Sequence, residues 1–160
     1  MLAFSDSRNR GTPLSGNGGR GADASVQLVH RGDWQASVLG YLQLRKFRSR
    51  FVAIDAARTA ATQTVNQFNV PSTGSGLRFE VRPPLGEEIE LRLGGDWRRT
   101  SGETNELFTF VSGQPPRRRE AGGQSDTAGG FAELTGRTGR LTLTASGRID
   151  RWWIRNGRLL

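Results

Sequence analysis

The side chains that could do chemistry gather in one stretch, Gly76–Thr100, which reads GLRFEVRPPLGEEIELRLGGDWRRT. Glu80, Glu88 and Glu90 are the carboxylates that could pair for acid/base work, which needs two carboxyl groups brought to one site. Arg78, Glu80 and Arg82, and then Glu88, Glu90 and Arg92, instead recur at every second position. That spacing predicts ladders of cross-strand ion pairs along one sheet face. His30 is the single histidine. A Ser-His-Asp arrangement would have to be built around it, and beside a turn signal at the end of a short apolar run it reads as structural or exposed. One histidine and no cysteine exclude a His-rich or thiolate metal site and a disulfide framework. Gly16–Gly21 (GNGGRG) has the glycines of a phosphate loop, but neither a strand before it nor a helix after it. Arg31-Gly32-Asp33 reads as turn chemistry. Arg117–Arg119 could hold an anion, but the run reads as a solvated loop tip. No cofactor and no enzymatic activity are expected.

The elements that must position these residues are strands. Leu77, Phe79 and Val81 alternate with Arg78, Glu80 and Arg82; Pro83-Pro84-Leu85-Gly86 interrupts; Ile89, Leu91, Leu93, Gly95 and Trp97 then alternate with charged and small residues. Period two puts the apolar set on one face and the charges on the other, as in a β-hairpin. Trp34–Lys46 repeats the pattern, with Leu39 as the one apolar residue on its polar face, and Leu141–Asp150 repeats it again. The longer runs hold their alternation for about nine to eleven residues, the length that a strand tilted through a bilayer needs. On their apolar parity, Trp34–Leu44, Ile89–Trp97 and Leu141–Ile149 carry no charge.

Composition limits what such hairpins can belong to. Hydrophobic residues are 34% of the 160, glycines number 22, and the net charge is +8 with a pI near 11.5. Small outward residues such as Ala36, Gly40, Gly95, Ala145 and Gly147 would make a thin soluble core, whereas lipid asks only that the band be free of charge. Lys46 is the only lysine. The arginines alternate with apolar residues or sit in polar connections instead of forming a block, so no nucleic-acid partner is expected. No run of about eighteen apolar residues exists, so no transmembrane helix is expected, and Met1–Asp6 lacks the basic start and apolar run of a signal peptide.

In chain order, residues 1–24 read as a loop or disordered lead-in. Residues 25–160 read as hairpins with brief turns at one end, among them Gly136–Gly139, and long polar connections, 47–73 and 101–126, at the other. The expected fold is all-β: an antiparallel up-and-down meander of about six strands, forming part of a transmembrane β-barrel with short turns at one end and long loops at the other. Arg78, Glu80, Arg82, Glu88, Glu90, Arg92, Arg148 and Asp150 are then candidates to face the lumen. Trp34, Trp97 and Trp153 are candidates for the aromatic girdles at the lipid interface.

The stretch LRFEVRPPLGEEIELRLGGDWRRT, followed later by GGFAELTGRTGRLTLTASGRIDRW, resembles the barrel of TonB-dependent outer-membrane receptors. Phe131-Ala132-Glu133 and Leu141–Asp150 carry the likeness to that family's FAE and LTLTAGxRxD strands. The resemblance implies a barrel of about 22 strands filled by a plug, set in the outer membrane of a Gram-negative bacterium. Such a receptor takes up a siderophore, cobalamin or a similar small nutrient with energy delivered by the TonB complex. Six strands are too few to close a barrel, so the resemblance also implies a fragment, with the plug, the remaining strands and the TonB-contacting parts absent from 1–160. Expected partners are outer-membrane lipid, an unidentified nutrient ligand, and the TonB complex through those absent parts. Two other readings stay open: a soluble basic β-sheet protein binding nucleic acid or polysaccharide, and another outer-membrane barrel such as a porin or an autotransporter translocator. The soluble reading requires a second layer of the same chain over the apolar stripe.

Overall fold

Alternating side chains and turn residues dictate strands over the apolar runs, and the computed structural model, which describes all residues except 109, 112, 113 and 115, extends them into a structure built of strands. β1 (Leu2–Asn9), β2 (Gly16–His30), β3 (Gln35–Ile54), β4 (Ala61–Arg82), β5 (Ile89–Phe108), β6 (Arg117–Thr138) and β7 (Leu141–Leu159) follow one another. Each is hydrogen-bonded antiparallel to the next in one open seven-stranded sheet ordered β1 to β7. The expected meander is present, with seven strands in place of six.

Three expectations are corrected. Residues 1–24 are not a loop: β1 pairs with the first half of β2, Leu2 opposite Asp23 and Asn9 opposite Gly16. The polar stretches 47–73 and 101–126 are largely strand, because β3 to β6 run on past the alternating region to lengths of 20 to 22 residues. A strand of 22 residues is about 70 Å long, well beyond a bilayer's apolar thickness. The described loops at that end shrink to 10–15 and 55–60, against 31–34, 83–88 and 139–140 at the other end. Finally, the last turn is not Gly136–Gly139. Thr138 pairs with Leu141, leaving Gly139 and Arg140 as a two-residue loop. Gly139 has φ +56, the left-handed conformation a tight hairpin of this length asks of its first residue.

The loop 55–60 is organised by one carboxylate. Asp55 Oδ1 accepts hydrogen bonds from the backbone N–H groups of Thr59 (2.7 Å) and Ala60 (2.8 Å), and Oδ2 accepts one from Thr59 Oγ1 (2.7 Å). The Ala60 amide first, and then the Thr59 hydroxyl, hold this carboxyl below the usual carboxylate range. The charged form is therefore the one the folded loop favours. Its contribution is complete above the unfolded value of about 4 and is lost as pH falls through the lower folded one. Hydrogen-exchange protection at Thr59 and Ala60 is expected to be flat at neutral pH and to fall only below the ordinary carboxylate range. The Asp55→Asn variant should show no such dependence. A wild-type loss of protection between pH 5 and 7 would show that another group organises the loop.

The sheet has no core of its own. Among the described residues no hydrophobic side chain is fully buried, and the buried polar ones are Ser15, Ser49, Asn105, Glu106 and Asp126. Among the described residues nothing forms the second layer that the soluble reading requires.

Candidate functional site

The register converts local alternation into two continuous faces. Along one row Gly40 pairs with Leu77, Leu77 with Trp97, Trp97 with Ala128 and Ala128 with Arg151. Neighbouring rows bring Val38, Phe79 and Gly95, or Val81, Leu93, Ala132 and Gly147, to the same side. Every apolar run read from the sequence therefore lies on one face, and that face is open: Leu143 is 64% and Ile149 79% accessible.

The apolar region crosses the strands at a slant. On β3 it runs from Ala36 to Leu44 and is centred on Gly40. On β5 it runs from Ile89 to Trp97, centred on Leu93, four residues from the Gly40 row. On β7 it runs from Leu141 to Ile149, centred on Ala145, six residues from that row. Six residues at about 3.3 Å, over four strand steps at about 4.8 Å, place the band at about 45° to the hydrogen-bonding direction. Its strands are thus tilted by about 45° from its normal, the tilt of strands that cross a membrane. Beyond its margin on the loop side, the same face turns charged on strand after strand: Arg20, Lys46, Arg99, Asp126 and Arg151. Trp34 stands in the turn before β3 at the other margin, Trp97 stands at the loop-side margin on β5, and Trp153 of β7 lies two residues past Arg151, opposite Asp126, in the charged fringe on that side. Asp126, fully buried, accepts from Arg99 Nε at 2.8 Å and from Gln124 Nε2 at 2.7 Å.

The opposite face carries most of the ion pairs. Glu80 on β4 lies 3.6 Å from Arg78, 3.0 Å from Arg82 and 3.3 Å from Arg92 of β5. Arg82 reaches Glu90 at 3.4 Å, and Arg92 reaches Glu133 of β6 at 3.2 Å. The network therefore joins five of the predicted residues across two strands and recruits Glu133 from a third. A second cluster centres on Arg148 of β7, which donates to Asp150 and also, at 2.8 Å, to Asp96 of β5, two strands away. The intervening residue is Gly129, where a Cβ would fall 2.5 Å from the Arg148 guanidinium. A Cβ there would push aside the ends of the Asp150 and Arg148 side chains.

Glu88 stands apart from the network. It lies in the turn before β5, and its backbone carbonyl accepts from the Arg137 amide at 2.8 Å. Arg117–Arg119 are not a loop tip but the start of β6, where Arg118 pairs with Glu120 and Arg119 with the buried Glu106. Sequence reasoning missed Asp96, Glu133 and Trp152. The first two stand on the charged parity of their strands, but their partners depend on register. Trp152, 70% exposed, stands on the charged face in the row of Thr127 and Arg98, where counting parity from Ile149 would have placed it.

An open meander of tilted strands, with one uncharged oblique face and one ion-paired face, is the wall of a membrane barrel. The model of the family described as TonB dependent receptor-like, beta-barrel, matches residues 2–159. The chain belongs to this TonB-dependent receptor β-barrel family. A search among curated proteins finds no match. Members of the family are outer-membrane receptors and transporters of Gram-negative bacteria and not enzymes. The matched region includes β1 and the start of β2, the part that composition alone assigns to a lead-in.

Proposed function

We propose that this chain forms part of the wall of an outer-membrane TonB-dependent receptor that takes up a siderophore, cobalamin or a similar small nutrient. The observation that carries the reading is the oblique uncharged band, which fits a flat lipid slab crossed by tilted strands. In this reading the apolar face meets lipid, with Trp34 at one interface and Trp97 and Trp153 at the other. Arg78, Glu80, Arg82, Glu90, Arg92, Arg148 and Asp150 face the lumen, where water and a plug solvate them, and Glu88 guards the short-turn rim. The strand extensions beyond the band and the loop 55–60, with Gln114 at the same end, stand outside the cell and meet the nutrient first. Energy comes from the TonB complex through parts outside residues 1–160, which are accordingly a barrel portion of a larger receptor.

The chain has no cysteine, so single introduced thiols report topology without background. In intact Gram-negative cells, a membrane-impermeant maleimide is expected to label Ala57→Cys and Gln114→Cys, and to label Gly32→Cys only after the cells are opened. Labelling of Gly32→Cys in intact cells, with Ala57→Cys protected, would reverse the orientation. Equal labelling of all three in a soluble fraction would remove the membrane reading.

A further inference from the structure

Where the apolar band ends on β2 and β3, the same face opens into a trough. Gly16 and Gly18 of β2 present no side chain there, and they pair with Arg50 and Arg48 of β3. Arg20, opposite Lys46, stands one step nearer the band, whose last apolar residues on these strands are Ala22 and Leu44. The Arg48 guanidinium leans over the glycine floor, so that a Cβ on Gly18 would lie 3.0 Å from its Nε. Two contiguous depressions, of about 430 and 520 Å³, share Arg48 and Phe68 along this line.

The charge here is unlike that on the other face. Among the described residues, Arg20, Lys46, Arg48 and Arg50 form no ion pair, and all four are exposed. On the opposite side of the same strand, Arg45 is bridged to Asp23 at 2.7 Å. Among the described residues, the one carboxylate at the trough's margin, Asp6, stands on the parity of the other face and is bridged to Arg8 at 3.1 Å. Four cations left without counter-charges, over a floor cleared of side chains, form a receptacle for an external anion. Their height decides which anion, because a lipid whose acyl chains lie against Leu42, Leu44 and Ala24 has its headgroup at Arg20, Lys46 and Arg48.

We propose that this trough binds the phosphate-bearing headgroup of an anionic lipid in the leaflet on the loop side of the membrane. The proposal rests on the membrane reading above. Guanidinium groups match phosphate oxygens in bidentate geometry, and the ammonium of Lys46 adds a point charge. Cations near a membrane surface attract anionic lipid with energies that accumulate per residue.

The test uses the complete receptor that carries residues 1–160, reconstituted in phosphatidylcholine vesicles containing a spin-labelled phosphatidylglycerol or a spin-labelled phosphatidylcholine, with the immobilised fraction of each read by electron paramagnetic resonance. Wild-type protein is expected to prefer the anionic label. The triple variant Arg20→Gln/Lys46→Gln/Arg48→Gln should lose that preference by about tenfold or more. Arg31→Gln/Arg58→Gln/Arg140→Gln, which removes the same charge from the turns, should keep it. Equal loss in both variants, or no loss in the first, overturns the proposal. Displacement of the lipid by millimolar inorganic phosphate also overturns it, by showing a site for free phosphate. Quenching of tryptophan fluorescence by brominated phosphatidylcholine, measured on the same samples, reports insertion independently. Intact quenching without anionic preference removes the headgroup site alone, whereas absent quenching removes the membrane reading beneath it.

Discussion

Leu93→Arg is expected to lower the stability of the sheet in phospholipid bilayers by about 2–4 kcal/mol, the cost of a cation at a lipid-facing mid-bilayer position. Leu93 is the midpoint of the Ile89–Trp97 run and the pair of Val81 and Ala132, so its side chain stands on the uncharged face, where it is 37% exposed. No rearrangement within the sheet can give an arginine there a carboxylate partner, because the neighbouring rows of that face are apolar or glycine. Urea-dependent unfolding in vesicles, followed through tryptophan fluorescence, would measure the shift. Arg92→Leu, one residue earlier on the other face, loses contacts to Glu80 and Glu133 but removes nothing from lipid, and is expected to cost less. If Leu93→Arg were tolerated within about 0.5 kcal/mol, an ordinary surface effect, while Arg92→Leu unfolded the protein, the two faces would have been assigned backwards.

Glu80→Ala should produce the second largest effect. The Glu80 carboxylate is 17% accessible and is the shared counter-ion of Arg78, Arg82 and Arg92, at 3.0 to 3.6 Å. Its removal leaves three guanidinium groups close together on two adjacent strands. Arg92 keeps Glu133 and Arg82 keeps Glu90, so the loss is partial. The guanidiniums are 30 to 57% accessible, so water screens much of the interaction. The expected destabilisation is about 1–2 kcal/mol, above an exposed pair and below a fully buried one. It should shrink between 0.1 and 1 M salt as the screening length falls from about 10 to about 3 Å. Identical urea midpoints for wild type and Glu80→Ala at low salt would mean that the cluster forms no coupled network.

The two regions differ in how far they could be read from sequence. Within the band every residue faces either an apolar or a polar medium, so alternation reports the face directly. Ile89–Trp97, Trp34–Leu44 and Leu141–Ile149 all came out on one side of the sheet as alternation predicts. Past the band both faces meet water, and the pressure to alternate disappears. Residues 2–9, 16–24, 47–54, 61–73, 101–108 and 117–126 are strands whose side chains carry no period. Their Gly, Ser, Thr and Asn composition reads as loop. What makes them strands is the backbone ladder of the neighbour, a partner up to tens of residues away.

The sequence alone determined which side of each strand is apolar, which residues alternate with it, and how little chemistry a single histidine and no cysteine permit. Those are local properties: a side chain's face follows from its parity within its own strand. The tertiary structure alone decided what meets across strands. Pairing register set Arg148 over Gly129 against Asp96, and gathered three arginines on Glu80. It also placed Arg20 beside Lys46 above a glycine floor, and slanted the apolar band by about 45°. Register is fixed by hydrogen bonds between segments distant in sequence, and a shift of one residue would exchange the faces, so no stretch read by itself contains it.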